Sequence, residues 1–439
     1  MSSIVKAIAL RLGAIGLTSG ALESKAALFD RALDALGPEA RDARIWWVPG
    51  RIEFLGKHTD YAGGPSLVCA VERGFAVAAA PSDRRLRFRD ANSGDSVEHE
   101  LDTDLVPPRG HWSNYPLTVS RRVARNFPGT RRGVDLAFAS DLPSAAGLSS
   151  SSALMVATFL ALSDANDLEA RLEYQAAIRG VEELAGYLGA VENGSGYGRL
   201  AGDAGVGTQG GSQDHTAILC SRPGALVQYS YLPVRCDRMV PLPNDHVLAV
   251  VSSGVVAAKA GGALERYNRA SALAAQALNV WREATHSHAA TLSAALEEAP
   301  GGVADFREML GSRREVLDRV EQFNNESRLV QEAGDALATS DLDRLGALVD
   351  ESQAGAARLL SNQIPETIAL ARMARETGAV AASAFGAGFG GSVYALVRAS
   401  DADDFVRRWL EQYTSAFPSR AADASAFITH AGPPASALA

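Results

Sequence analysis

The stretch GRIEFLGKHTDYAGG, Gly50 to Gly64, crowds Arg, Glu, Lys, His, Asp and Tyr between glycines directly after the apolar run IWWVP, which reads as a buried strand. A solvated turn would account for these charges if they stood alone. Two later stretches change that reading. PSAAGLSSSSA, Pro143 to Ala153, sets a glycine and four consecutive serines between a predicted strand, VDLAFASDLP, and a predicted helix, SSSSALMVATFLALSDAN, whose apolar residues recur at helical spacing. At such a junction unpaired backbone N–H groups and the positive end of the helix dipole face an anion, and hydroxyls add donors or an oxygen for Mg²⁺. A helix N-cap, worth about 1 kcal/mol, needs one serine only, so the run points to a ligand. The pattern GxxxxGK[ST] is absent, which excludes a P-loop nucleoside triphosphatase. The third stretch, GAGFGG at Gly386 to Gly391, satisfies GxGxxG, but a strand-like SVYALVR follows where a dinucleotide site needs a helix. A glycine turn that brings backbone close to a ligand is the better reading, and hydride transfer is disfavoured.

Composition sets the frame for these motifs. A chain of 439 residues exceeds what one hydrophobic core supports, and 47% apolar with 21% charged residues describes an ordinary globular protein. The formal charge of −9 argues against a nucleic-acid surface, which needs a basic patch. Cys69, Cys220 and Cys236 form no CxxC pair, and His286 and His288 lack partners at metal-ligand spacing, so neither a disulfide framework nor a structural metal site is expected. The N-terminal IVKAIALRLGAIGL is interrupted by Arg11 and reads as an amphipathic helix rather than a signal peptide. With no run long enough to span a membrane, the expected location is cytoplasmic.

Along the chain, ARIWWVPGRIEFLG, GGPSLVCAVERGFAVAAAP and LRFRDANSG to VEHELD read as strands and turns of a mixed sheet. LEARLEYQAAIRGVEELAGYLG reads as one helical stretch leading into a glycine-rich segment that ends at Gly211. From HVLAVVSSG onward a strand is succeeded by long Ala-rich helices and then by AVAASAF and SVYALVR, which suggests two α+β domains, 1–240 and 245–439. The tail AGPPASALA reads as frayed.

In this order the three stretches resemble the three signatures of the GHMP small-molecule kinases, and the first looks specifically like the galactokinase signature. The resemblance implies an α+β, two-domain GHMP fold with mixed β-sheets flanked by helices and an active site in the cleft between the domains. It implies an ATP- and Mg²⁺-dependent sugar kinase acting on the anomeric hydroxyl of galactose or a relative. Carried over residue by residue, Asp214 in GGSQDHTAIL is the base and Arg51 its partner. His58, Asp60 and Tyr267 bind sugar hydroxyls. Gly147, Leu148, Ser149, Ser150 and Ser151, with Gly386 and Gly388, surround the nucleotide phosphates, and Ser151 is the metal ligand. Ser152 lies beyond the best-matched part and is expected to matter least.

Three departures bear on the substrate. Lys57 stands where galactokinases present a Glu to the hydroxyl on carbon six, Ser383 stands where the family has Arg or Lys, and the glycine-rich segment before Asp214 is longer than the family pattern. An ammonium at position 57 would favour a carboxylate, so a galacturonate-type 1-kinase is one alternative. A sugar sensor without turnover is another, and a kinase for a non-sugar alcohol such as mevalonate or homoserine is a third.

Overall fold

The computed structural model describes residues 3–143, 146–256 and 262–438, so Ser144 and Ala145 of the serine stretch lie outside the described residues. Helices α1 (Ser3–Ala14) and α2 (Leu22–Leu36) precede strands β1 (Arg44–Leu55), β2 (Pro65–Ser82), β3 (Arg85–Asp90) and β4 (Ser96–Glu100). After α3 (Asn114–Asn126) come β5 (Gly133–Ser140), α4 (Ser150–Ala165), α5 (Leu172–Gln175), α6 (Val181–Asn193) and α7 (Gln213–Cys220). Strands β6 (Ala225–Ser230), β7 (Arg235–Pro241) and β8 (His246–Ser252) lead to α8 (Gly262–Thr285), α9 (Leu292–Glu298), α10 (Val303–Leu310), α11 (Arg314–Ala338), α12 (Leu342–Gly355) and α13 (Pro365–Thr377). The chain closes with β9 (Ala381–Ala384), β10 (Ser392–Arg398), α14 (Ala402–Ala416), β11 (Ser425–Thr429), β12 (Ala431–Gly432) and β13 (Ser436–Ala437).

Two sheets result. The larger follows β13-β1-β2-β5-β3-β4, with β12 and β6 also on β2 and β7 beyond β6; the smaller is β11-β8-β10-β9. The larger is mixed, because β3 runs parallel to β5 while the other pairs are antiparallel. Alternation along its strands decides which helices cover which face. Ile45, Trp47, Ala76, Ala78, Ala137 and Ala139 face α1 and α2, where Val5, Ile8 and Leu12 form the apolar stripe expected of the N-terminal helix. Trp46, Val48, Val77 and Phe138 face the opposite layer, built on α3, α4, α6 and α7. The small residues on the first face let the helix pair approach closely.

One core joins the two sheets. Ile52, Phe54 and Leu55 of β1 pack in the same cluster as Leu248 and Val250 of β8, Tyr394 of β10 and Leu329 and Val330 of α11. Phe54 stacks on Tyr394 at 4.7 Å, and the Tyr394 hydroxyl donates to the Phe54 carbonyl at 2.6 Å. We propose a domain division near residue 240, between the sheets, although the chain end does not respect it: β12 and β13 return to β2 and β1 of the first sheet.

Two expectations are corrected here. The stretch from Leu168 to Gly189 is not one helix; a 3₁₀ turn and the short α5 stop before Gly180, which is extended at φ −160°. Tyr174 and Ile178 sit in the core and pull the chain off the helical path, and glycine offers little helical preference to resist. Nor is the tail frayed. Trp46 and Trp47 pair with Ala437 and Ser436, Leu438 is buried beside α1 and α2, and Arg11 donates to its carbonyl at 2.5 Å. Leu438→Ala is expected to lower stability by about 2–3 kcal/mol in urea unfolding, on the scale of buried Leu truncation, whereas a loose tail would leave the midpoint unmoved.

Candidate active site

Strand β1 continues through the charged stretch to Leu55, so Arg51 and Glu53 are strand residues. Alternation sends Ile52 and Phe54 into the shared core and Arg51 and Glu53 to the opposite side, where both line a cavity of about 670 Å³. Arg51 is the junction of this cavity. Its Nε donates to Asp214 Oδ1 at 2.7 Å, its NH1 donates to the Gly147 carbonyl at 2.5 Å, and its guanidinium lies 5.9 Å from the Phe385 ring centre. The Arg51 backbone N–H donates to the Leu148 carbonyl at 3.2 Å. A single side chain thus meets the start of α7, the serine loop and the glycine turn.

At one end of the cavity stand His58, Asp60 and Tyr267. Asp60 accepts from the Gln213 N–H at 3.0 Å, and burial lifts its carboxyl to about 6. His58 occupies the left-handed region at φ 59°. Its Nε2 lies 3.2 Å from the Ala387 carbonyl, which can only accept, so Nε2 carries the proton and Nδ1 accepts from the Tyr61 hydroxyl at 3.0 Å. Burial, and then the charge of Arg319, lower its pKa to about 3, which keeps the ring neutral. Both ring nitrogens are engaged within the protein, so a hydroxyl that bonded Nε2 would displace Ala387. The Tyr267 ring lies 5.1 Å from that of His58.

Lys57 is not brought to this cavity. It is buried among α11 and α12, its ammonium donates to Ser352 Oγ at 2.8 Å, and Ser352 in turn donates to Glu326 at 2.9 Å. The backbone N–H groups of Gly56 and Lys57 also donate to Glu326, at 2.9 and 3.1 Å. An ammonium turned inward to a hydroxyl and a carboxylate cannot meet a substrate carboxylate, and the uronate reading loses its basis. Ser383 is likewise buried away from the cavity on β9, donating to Gln353 at 2.9 Å.

The serine run opens α4. Ser149 has φ 59° and ψ 41°, makes no capping bond, and its buried Oγ has no partner among the described residues. A cap is therefore not its role. Ser149, Ser150 and Ser151 line the cavity with Gly147, facing Gly386 and Gly388 of the glycine turn. A Cβ at Gly388 would stand 2.4 Å from the Asn362 carbonyl, so only glycine lets this turn close on the chain that follows α12.

Several residues of the site carry no sequence signal. Ser152, expected to matter least, donates to Glu192 at 3.0 Å and lies 3.4 Å from Asp214. Glu192, near the end of α6, also accepts from Thr208 at 3.3 Å and lines the cavity, as Ser151 does. This convergence of hydroxyl and carboxylate oxygens suits a hard cation such as Mg²⁺, which takes one or two carboxylates alongside phosphates. Part of the cavity wall is aromatic, with Phe75, Trp112, Tyr115 and Phe138, of which Phe138 meets both Phe75 and Trp112. The long glycine-rich segment is docked on α3: Arg121 donates to the Ala204 carbonyl, Arg122 to that of Ser195, and Asp203 pairs with Arg121 and Arg125. It delivers Gly210 and Gly211 so close that a Cβ would fall 2.5 Å from the Tyr267 hydroxyl or 2.4 Å from Asp60.

Known proteins resemble this chain along most of its length. Residues 35–81 match the galactokinase galactose-binding signature, residues 114–222 the GHMP kinases N terminal domain and residues 335–415 the GHMP kinases C terminal region. A galactokinase of Chloroflexus aggregans is 30% identical over 381 residues, covering 84% of this chain and 88% of that protein. A galactokinase of Actinobacillus pleuropneumoniae is 26% identical over 363 residues, covering 81% and 85%. In three dimensions the chain is similar to Lactococcus lactis galactokinase complexed with galactose, with a TM-score of 0.78 at 22% identity over 93% of this chain and 98% of that one.

The buried carboxyl of Glu53 generates a pH dependence. Burial, opposed by Lys57 and Arg51, pushes it up to about 8 from 4.5. Its folded value lies above its unfolded one, so the stability it contributes is present in full below 4.5 and is lost as pH rises towards 8. Relative to wild type, Glu53→Gln is expected to gain stability from about pH 5 to about pH 8, at up to roughly 1.4 kcal/mol per unit, in urea unfolding without ligand. A stability difference that ignores pH would show the group ionised throughout.

Proposed function

This chain belongs to the galactokinase family of the GHMP kinases, and we propose that it transfers the γ-phosphoryl group of ATP to the anomeric hydroxyl of galactose or a close relative. The observation that carries this reading is Arg51, bonded to Asp214 on one side and to the Gly147 carbonyl on the other. That arrangement supports reading Asp214 as the base and Arg51 as the cation between the proposed sugar pocket and the serine loop.

In the proposed step the anomeric oxygen attacks the γ-phosphorus, the bond to the bridging oxygen breaks, ADP leaves with that electron pair, and the hydroxyl proton passes to Asp214. Phosphoryl transfer asks chiefly for positioning and charge neutralisation. Asp60, His58 and Tyr267 form the sugar pocket. Gly147, Ser149 and Ser150, with Gly386 and Gly388, surround the phosphates, and the aromatic wall of Phe75, Trp112, Tyr115 and Phe138 receives the adenine base. Leu148, expected among the phosphate-binding residues, is instead buried in the core that joins the two sheets, because its apolar side chain turns away from the cavity. Bound Mg²⁺ would neutralise phosphate charge, and we assign Ser151 and Glu192 to hold it. A sensor without turnover has no use for Asp214 held against Arg51. We also assign the enzyme to the cytoplasm, where ATP is supplied; among the described residues no helix is long and apolar enough to cross a membrane.

The test is an ATP-consumption panel over galactose, galacturonate, glucuronate, N-acetylgalactosamine and arabinose, with NMR of the product. Phosphorus on the anomeric oxygen of galactose is the expected result, and no turnover on any sugar would overturn the reading. Asp214→Asn, nearly isosteric but unable to take the proton, is expected to lose at least about 10²-fold in kcat while still binding ATP, as judged by calorimetry. Alanine at Ser149, Ser150 or Ser151 is expected to raise KM for Mg·ATP or lower kcat with the sugar KM nearly unchanged; three silent variants would separate the run from the nucleotide.

A further inference from the structure

Glu53 lines the same cavity as Arg51 and Asp214, and the catalytic step proposed above makes no use of it. It is buried, its Oε1 has no hydrogen-bond partner among the described residues, and although Lys57 and Arg51 attract its charge, their hydrogen bonds are directed elsewhere. Arg51 is held by Asp214 and Gly147, Lys57 by Ser352, and Glu326 by two backbone amides and Ser352. A buried carboxyl left without a hydrogen-bond partner is destabilising, and because Glu53 lines the cavity, the partner it lacks is one that a ligand in the cavity can supply. A structural filler would more simply be an apolar residue, as Ile52 and Phe54 are on the other face.

We propose that Glu53 is a sugar-contacting residue whose carboxyl hydrogen-bonds one non-reacting hydroxyl and thereby selects the sugar. The proposal rests on the sugar-kinase reading. Two residues along a strand span roughly 6.6 Å, so from Arg51, which marks the reacting end, Glu53 stands about a pyranose ring's width away. The raised pKa of the group agrees with this role, since a protonated carboxyl both donates and accepts, as a sugar hydroxyl does. With Lys57 turned inward, the acid that meets the sugar from this strand is at position 53. The hydroxyl it contacts is a specificity element of this chain, and a sugar lacking it is rejected because Glu53 is then left unpaired.

The test measures kcat/KM for galactose and its 2-, 3-, 4- and 6-deoxy forms with wild type, Glu53→Gln and Glu53→Ala. Wild type is expected to lose at least about 10-fold on one of the deoxy sugars, the scale of a lost hydrogen bond to a charged or acidic group. In Glu53→Ala that one penalty should shrink to within about 3-fold while the other deoxy-to-galactose ratios stay at their wild-type values; Glu53→Gln should fall between. A merely structural role would scale all sugars alike, and unchanged ratios in the folded variants would overturn the proposal. Should Glu53→Ala not fold, Glu53→Met keeps the length without hydrogen-bonding capacity. Wild type inactive on galactose would overturn the sugar-kinase reading and this one together; wild type active with uniform losses overturns only the role of Glu53.

Discussion

A guanidinium buried to the extent of Arg51, whose side chain is 4% exposed, must find acceptors or destabilise the fold, and the acceptors it finds come from separate parts of the chain. Asp214 comes from the start of α7, Gly147 from the loop before α4, and the Phe385 ring from the edge of the glycine turn. Satisfying one side chain therefore fixes the mutual placement of three segments that line the cavity. A Lys could not do this, because the fork of the guanidinium carries donors in two fixed directions. The same contact that relieves a desolvated charge also brings the walls of the cavity together, so folding and the proposed function make the same demand at this point.

Around it, the sugar-signature turn is held from behind by α11. Arg319 donates to the His58 carbonyl at 2.5 Å and to the Tyr61 hydroxyl at 3.1 Å, and also to the Ala270 carbonyl on α8 at 3.2 Å. Glu326, two turns further along, takes the N–H groups of Gly56 and Lys57. The turn must bend sharply enough to put His58 in the left-handed region, a strained choice for a residue with a ring, and these bonds hold it there. Charge also sets protonation: the cation that anchors the His58 carbonyl is one of the reasons its ring stays neutral.

Close backbone approach is the second requirement. Gly388 against Asn362, Gly211 against Asp60 and Gly210 against Tyr267 leave no room for a Cβ, and each sits where two distant segments meet at the cavity wall. The glycine-rich segment before Asp214 acquires a role on this view. Pinned to α3 by Arg121, Arg122 and Arg125, it is a fixed wall that delivers two glycines to the side chains at the sugar end.

What the sequence by itself determined was chemistry concentrated in local patterns. Four serines before a helix pointed to a phosphate, and the order of the charged turn, the serine run and the glycine turn resembled the signatures of a sugar-kinase family; the residues that this resemblance singled out, Arg51, Asp214, His58, Asp60 and Tyr267, do meet at one cavity. The strand periodicity of IWWV and the helical spacing of the first segment likewise carry their faces in the order of residues. Direction was decided only by tertiary structure. Lys57 and Glu53 are both charged and four residues apart, and no local rule says that one points to Ser352 and the other to the cavity; that follows from Glu326 and Ser352 arriving on α11 and α12, far along the chain. Glu192 and Ser152 become part of the site because α6 and α4 pack side by side. The final residues pair with β1 because the first sheet has an open edge there, which residues 44–55 alone do not reveal. Local pattern records what a segment can do, whereas the partner of a buried polar group is chosen by whichever distant segment the fold brings within hydrogen-bonding distance.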